Sequence, residues 1–193
     1  MIETLLDTVT WALALALCLP GRAGHPARAW LVPLAVAALL WVPLGPANAL
    51  GALRGIFASP SVLSLVVVAA LTARRAGWAL SRPGEIGLIA GLAGACGVLF
   101  YPPALGLGPV DPYAWGYGGF ALPLAVGLVA LLAGWTGRWV LAVGLASALA
   151  AWRAGLMASP NLWDYLLDPV LAVGGLVGMA VCLQRAQSRK RAG

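Results

Sequence analysis

Seven apolar runs occupy most of the 193-residue chain and limit the folds that it can adopt. Only 9% of the residues are charged, against about 25% in ordinary soluble domains. A helix that crosses a membrane needs about 20 apolar residues, with about 17 as the lower limit. The sequence therefore predicts an all-α integral membrane protein, a polytopic bundle of about seven transmembrane helices. The runs cover residues 3–19, 29–45, 57–73, 84–101, 119–135, 138–153 and 161–183.

The number of helices is open because several runs are close to that lower limit. The third run is short unless the preceding residues 49–59, ALGALRGIFAS, add a helical turn or lie at the membrane interface. A bundle of six transmembrane helices, in which the first run lies at the membrane surface, is the alternative. In either case residues 1–183 form a single transmembrane domain, and residues 184–193 follow it as a basic cytoplasmic tail.

The basic residues predict the orientation, because Lys and Arg near the ends of transmembrane helices are retained on the cytoplasmic side. With the N-terminus outside and the C-terminus cytoplasmic, ten of the twelve basic residues are cytoplasmic, and only Arg54 and Arg153 are outside. The net charge of +6 is then a signal of topology, and no nucleic-acid partner is predicted. The cytoplasmic ten are Arg22, Arg28, Arg74, Arg75, Arg82, Arg138, Arg185, Arg189, Lys190 and Arg191.

The composition also indicates a source and a location. Eleven of the twelve basic residues are Arg, and Ala, Leu, Gly and Val dominate the chain, which is typical of proteins from GC-rich bacterial genomes. The first residues, MIETLLD, are acidic where a cleavable signal peptide has a basic segment. We therefore expect a multi-pass protein of the bacterial inner (plasma) membrane, with membrane lipid as its first partner.

The acidic residues lie mostly on the other side of the predicted membrane. Five of the six are outside, and only Glu85 is inside. The outer segments 53–61, 100–119 and 152–169 also contain most of the polar and aromatic residues outside the apolar runs. We therefore expect any chemistry or partner binding on the outer face. The five outer acids are Glu3, Asp7, Asp111, Asp164 and Asp168.

The segment SPNLWDYLLDP, residues 159–169, precedes the last apolar run and contains two of these acids. If Asp168 capped the last helix, residues 169–183 would span about 22 Å, which is too short to cross a membrane. We therefore expect this helix to begin near Asn161, with Pro169 inside it and a kink there. Asp164 and Asp168 would then lie one turn apart on one helix face.

Two interpretations of this acidic pair remain open. In the first, the Asp and Arg residues form a structural network that closes the outer end of the bundle. In the second, they form a ligand, proton or partner site, with Trp163 and Tyr165 as interfacial anchors. Because the outer segments lack His and Cys, no metal, cofactor or catalytic residue is assigned. The candidate ligand- or partner-binding residues are Arg54, Asp111, Tyr113, Tyr117, Arg153, Asn161, Trp163, Asp164, Tyr165 and Asp168.

Two apolar runs have glycine stripes that indicate close helix packing, either within the chain or between copies in a homo-oligomer. In the fourth run the glycines are Gly84, Gly87, Gly91, Gly94 and Gly97, and in the last run they are Gly174, Gly175 and Gly178.

The leading functional hypothesis is a non-catalytic accessory or assembly component whose outer loops bind an envelope protein or a lipid-linked glycan. One polar face above an otherwise inert bundle favours it. A small transporter or channel subunit is the first alternative. The second is an enzyme that modifies lipids at the outer leaflet, in which Asp111, Asp164 or Asp168 acts as a base or a metal ligand and Arg54 or Arg153 binds a lipid phosphate.

Overall fold

The computed structural model describes residues 1–19 and 26–192, and this part of the chain is almost entirely helical. Strands β1 (Pro43–Leu44) and β2 (Ala47–Asn48) form a small antiparallel hairpin, and Tyr113–Gly116 forms a 3₁₀ turn. The predicted inner loop with Arg22 lies outside the described residues. The helices are α1 (Ile2–Cys18), α2 (Pro26–Leu40), α3 (Ala49–Phe57), α4 (Val62–Arg75), α5 (Glu85–Ala104), α6 (Ala121–Trp135), α7 (Trp139–Arg153), α8 (Trp163–Leu166) and α9 (Pro169–Ala192).

The helix lengths do not support the predicted count of about seven transmembrane helices. Among the described residues, α5 is the one helix that is long and apolar enough to cross a membrane, with a mean hydropathy of 1.6. The other apolar helical segments have 10–17 residues. The count came from composition, whereas caps and loops take residues from each run. The third run, for example, yields α4 with 14 residues, or about 21 Å.

The residues before this third run form a helix of their own, α3, rather than an extension of α4. Asn48 caps α3 by accepting a hydrogen bond from Gly51 N at 2.8 Å. The chain then turns at Ala58, whose φ of 59° is unusual for a residue other than glycine. Leu50 of α3 packs with Trp11 of α1 and Leu40 of α2 in a small cluster separate from the main core.

Several helices begin or end together at what we call the acidic end of the bundle. Glu3, at the start of α1, accepts hydrogen bonds from Arg54 of α3 and from Ala158 N, which follows α7. Asp168, which precedes α9, accepts from Ser61 N, which precedes α4. Helices α1, α4 and α9 therefore begin at this end of the bundle, and α7 ends there.

The opposite end of the bundle, which we call the basic end, is closed by charged side chains that bind helix termini. Arg75 donates to the last carbonyl oxygens of α1, at 2.9 and 2.8 Å, and Arg82 donates to Thr136 O beyond α6 at 2.7 Å. The buried Glu85 carboxylate accepts from Leu141 N in the first turn of α7 at 3.1 Å. Each charge complements the partial charge of the helix end that it contacts.

Helices α5 and α9 approach each other closely through part of the predicted glycine stripes. A Cβ atom at Gly97 would lie 2.6 Å from Ala172 Cβ, and one at Gly175 would lie 2.7 Å from Gly94 N. Gly87 and Gly91, by contrast, face open space. Two of the five glycines of this stripe, Gly94 and Gly97, are therefore explained by packing within the chain. Association between copies through the rest of the stripe stays a prediction.

Candidate functional site

Asp168 joins the starts of two helices at the acidic end. One carboxylate oxygen accepts hydrogen bonds from Ser61 N at 2.9 Å, from Ser61 Oγ at 2.7 Å and from Ser64 Oγ. The other oxygen accepts from Leu171 N at 2.9 Å, in the first turn of α9. Only 3% of Asp168 is exposed. These four donors therefore replace the hydrogen bonds to water that the carboxylate loses on burial.

This geometry shows that the predicted start of the last helix was wrong. Asp168 is the residue before the first turn of α9, and Pro169 occupies the first helical position, where its missing N–H costs nothing. Leu167 is extended and separates α9 from the one-turn helix α8, so Asp164 and Asp168 do not share a helix face. Helix α9 continues to Ala192, through the described part of the predicted basic tail, but its apolar part covers only Pro169–Val181.

Asp164 lies at the junction of two segments that the sequence places about fifty residues apart. Its carboxylate accepts from Tyr113 Oη at 2.9 Å and from Ser159 Oγ. Burial, followed by the hydrogen bond to this carboxylate, raises the pKa of Tyr113 above its ordinary value. Tyr113 therefore stays a hydrogen-bond donor to Asp164 throughout the neutral range.

The loop of residues 105–120 is held against α8 by further hydrogen bonds. Asn161 Nδ2 donates to Tyr113 O at 2.9 Å, and Trp163 Nε1 donates to Pro112 O at 2.9 Å. A Cβ atom at Gly116 would overlap the Asn161 side chain, so glycine is needed for this close approach. Asn161 and Trp163 therefore hold this loop in place at the acidic end.

Arg54 forms the ionic part of the acidic end. Its guanidinium lies 2.9 Å from Asp7 Oδ2 and 3.3 Å from Glu3 Oε1. Ser59 Oγ donates to the same two carboxylates, at 3.0 and 3.1 Å. Because Asp7 is almost fully buried and Arg54 only partly so, this pair binds α3 to α1 in a partly dry environment.

These three networks surround a cavity of about 540 Å³, which we call the acidic-end cavity. Carboxylates, hydroxyls and aromatic rings line it together, and all the predicted outer segments contribute, as does the start of α1. Among the described residues the hydroxyl of Tyr101 makes no hydrogen bond, although its ring lines the cavity. The polar and aromatic lining comes from Glu3, Ser59, Phe100, Tyr101, Tyr113, Ser159, Asp164 and Asp168.

The structure separates the ten predicted site residues into three groups. Tyr113, Asp164 and Asp168 line the cavity, and Arg54 reaches it through Glu3. Three others, Asn161, Trp163 and Tyr165, support its wall. Tyr165 is fully buried, and its hydroxyl oxygen accepts a hydrogen bond from Met157 N at 3.1 Å. The remaining three, Asp111, Tyr117 and Arg153, do not line the cavity. Asp111 is exposed and accepts a hydrogen bond from Tyr113 N, and the ring of Tyr117 packs edge-on against that of Tyr113. Arg153 is exposed.

The sequence prediction missed several residues that line or support the cavity. Glu3 was placed on the outer side, and Tyr101 lies in the outer segment 100–119, but neither was selected as a candidate site residue. Ser59 and Ser159 each precede a proline, a pattern typical of a helix start. The hydroxyl of Ser59 nevertheless donates to Glu3, and that of Ser159 donates to Asp164. A sequence signal does exist for Ser59, Tyr101 and Ser159, because they lie in the polar segments of the predicted outer face.

Comparisons with protein-family models, with curated proteins and with solved structures find no match to this chain. Within residues 1–19 and 26–192, no three His, Cys, Asp or Glu side chains are grouped as a metal ion would require. The chemistry of the acidic-end cavity therefore has to be deduced from its lining alone. That lining combines hydrogen-bond acceptors with aromatic faces.

Proposed function

We propose that the chain is a multi-pass protein of a bacterial inner membrane, with its acidic end outside and its basic end in the cytoplasm. Large apolar side chains are exposed on the sides of the bundle, as at Leu34, Leu99 and Leu131, which are 67%, 75% and 72% exposed. Soluble monomers rarely expose apolar surface on this scale, whereas lipid solvates it. A bilayer that thins locally accommodates helices shorter than its hydrocarbon core.

Within that membrane, the protein serves as a non-catalytic component that binds the head group of a membrane-borne ligand in the acidic-end cavity. The single observation that carries this proposal is the cavity itself. Its volume of about 540 Å³ lies within the range of small-molecule sites, about 300–1,000 Å³. A non-catalytic role is favoured because Asp164 and Asp168 are both engaged by internal donors, which hold them in place as fixed acceptors.

The lining favours a ligand that has hydroxyl groups. Carboxylates accept hydrogen bonds from hydroxyls, and charge-assisted bonds of this kind are about twice as strong as neutral ones. The rings of Phe100 and Tyr101 offer flat apolar faces beside these acceptors. The described residues that line the cavity include three carboxylates and no Lys or Arg, so an anionic head group would be repelled.

Docking of an envelope protein is a second candidate function, because the loop that covers the cavity is apolar on its outer surface. Leu105, Leu107 and Phe120 are 77%, 75% and 78% exposed, and Trp115 is also exposed. Aromatic side chains such as Trp115 and Phe120 are enriched in protein interfaces. In this case the loop, rather than the cavity, would be the site of binding.

Native mass spectrometry of the full chain, extracted with its own lipids, tests the proposal. We expect an adduct of discrete mass on the wild type, reduced at least tenfold by Asp164→Asn, since a lost hydrogen bond to a charged group costs about 1.5–3 kcal/mol. Asp111→Asn is the matched control, because it alters an exposed carboxylate that does not line the cavity.

Equal adducts in the three proteins, or bulk lipid alone, would contradict binding in the cavity. A protein that copurifies in stoichiometric amount, and is lost when Trp115 and Phe120 are both changed to Ser, would instead favour the docking function.

A further inference from the structure

A second depression on the surface of the bundle adjoins the acidic-end cavity. It is an apolar groove of about 380 Å³ between α5 and α9, which we call the lateral groove. Tyr101 and Pro169 line both the groove and the cavity, so the two spaces meet at these residues. A molecule that occupies both would have a polar part at the acidic end and an apolar part along the side of the bundle.

The floor of the lateral groove is a consequence of the close packing of α5 and α9. Gly97 lacks a side chain where Ala172 approaches, so the two helices meet there without filling the space beside them. The sides of the groove are Val98 and Val173, which are 55% and 60% exposed. The groove is therefore open to the surroundings of the bundle, which are lipid in the proposed membrane protein.

The charges at the junction select the head group. Asp164 and Asp168 line the cavity next to Tyr101, and the guanidinium of Arg54 is already engaged by Glu3 and Asp7. A phosphate would meet carboxylates with no free cation among the described residues that line the cavity. A neutral sugar would instead donate hydroxyls to the partly exposed carboxylates of Glu3 and Asp164 and stack on the aromatic rings.

We propose that the ligand is a glycolipid with an uncharged sugar head group, which occupies the acidic-end cavity, and with one hydrocarbon chain in the lateral groove. This inference rests on the proposed function and assigns the chemical class of its ligand. The head group determines the specificity, because a chain gains little by leaving lipid for an equally apolar groove. The chain orients the ligand and brings it to the cavity from the side.

The experiment uses the full chain in phosphatidylcholine nanodiscs with a photoreactive probe, glucosyl diacylglycerol that has a diazirine in one acyl chain. We expect crosslinks to concentrate on the α5 and α9 peptides that contain Val98 and Val173. Val173→Trp fills the groove and should reduce these crosslinks at least fivefold. Val177→Trp is the matched control, since Val177 lies one turn along α9, is 59% exposed and does not line the groove.

Competition identifies the head group: unlabelled glucosyl diacylglycerol should displace the probe, and phosphatidylglycerol should not. Equal displacement by phosphatidylglycerol would overturn the assignment of an uncharged sugar.

A separate measurement with methyl β-glucoside, which has no long chain, distinguishes this inference from the proposed function. Saturation-transfer NMR should show the glucoside bound to the wild type and weakened by Asp164→Asn. If the glucoside binds in this way while the crosslinks are scattered or unaffected by Val173→Trp, the groove is not the chain site and the proposed function stands. If neither probe binds, both proposals are wrong.

Discussion

The central role of Asp168 gives the sharpest prediction of stability. In Asp168→Ala the N–H of Ser61 loses its acceptor inside the bundle, and the N–H of Leu171 loses the cap of α9. The hydroxyls of Ser61 and Ser64, which are 3.1 Å apart, can still bond to each other, so their loss is smaller. The substitution therefore leaves one buried donor without a partner and one helix end without a cap.

The magnitude follows from these contacts. A buried donor without a partner costs about 1–3 kcal/mol, a lost N-cap costs about 1 kcal/mol, and the weakened hydroxyl bonds cost about 1 kcal/mol more. The free energy of unfolding should therefore fall by about 4 kcal/mol in Asp168→Ala. At about 2–4 °C for each kcal/mol in a chain of this size, Tm should fall by about 8–16 °C. Asp168→Asn keeps one acceptor oxygen and should lose about half as much.

Thermal unfolding in a mild detergent, followed by intrinsic tryptophan fluorescence, measures this effect, since the chain has nine Trp residues. Asp111→Ala serves as the control: it removes an exposed outer carboxylate whose one side-chain hydrogen bond is to Tyr113 N, and it should leave Tm nearly unchanged. Equal unfolding temperatures of Asp168→Ala and Asp111→Ala would contradict the role of Asp168 in joining α4 to α9. An Asp168→Asn protein less stable than Asp168→Ala would contradict it as well.

Two further predictions concern helix packing and pH. Gly97→Ala should destabilise the protein by about 1–3 kcal/mol, because the new methyl group meets Ala172. Gly91→Ala is the control: its methyl group faces open space, so it should be neutral or slightly stabilising. Equal melting temperatures of the two variants in detergent would contradict this. Because the pKa of Tyr113 is raised in the folded state, its contribution to stability is complete below about pH 10 and is lost as the pH rises further. Unfolding measured from pH 8 to 11 should therefore decline more steeply in the wild type than in Tyr113→Phe, and parallel curves would count against the bond to Asp164.

Part of the acidic end could be predicted from the sequence because it depends on the order of charges along the chain. The alternation of Arg-rich and acidic segments placed Glu3, Arg54 and Asp164 on one face, and the structure brings these residues to one end of the bundle. The count of transmembrane helices failed for a local reason. An apolar run does not show where an N-cap such as Ser61 makes a helix begin, and a difference of a few residues decides whether the helix is long enough to cross.

The cavity and the position of Asp168 required the tertiary structure. Sequence reasoning expected Asp168 inside a helix, because a helix from Pro169 to residue 183 would be short, and it could not show that α9 continues to Ala192.

What the sequence determined by itself is the helical class, the apolar surface and the separation of opposite charges, since these follow from composition and local order. What only the tertiary structure decided is which donors meet which carboxylates. Ser61 and Asp168 are 107 positions apart, and their hydrogen bond exists because α4 and α9 begin at the same end of the bundle. Such contacts depend on how whole helices pack, and no local pattern in the chain specifies that packing.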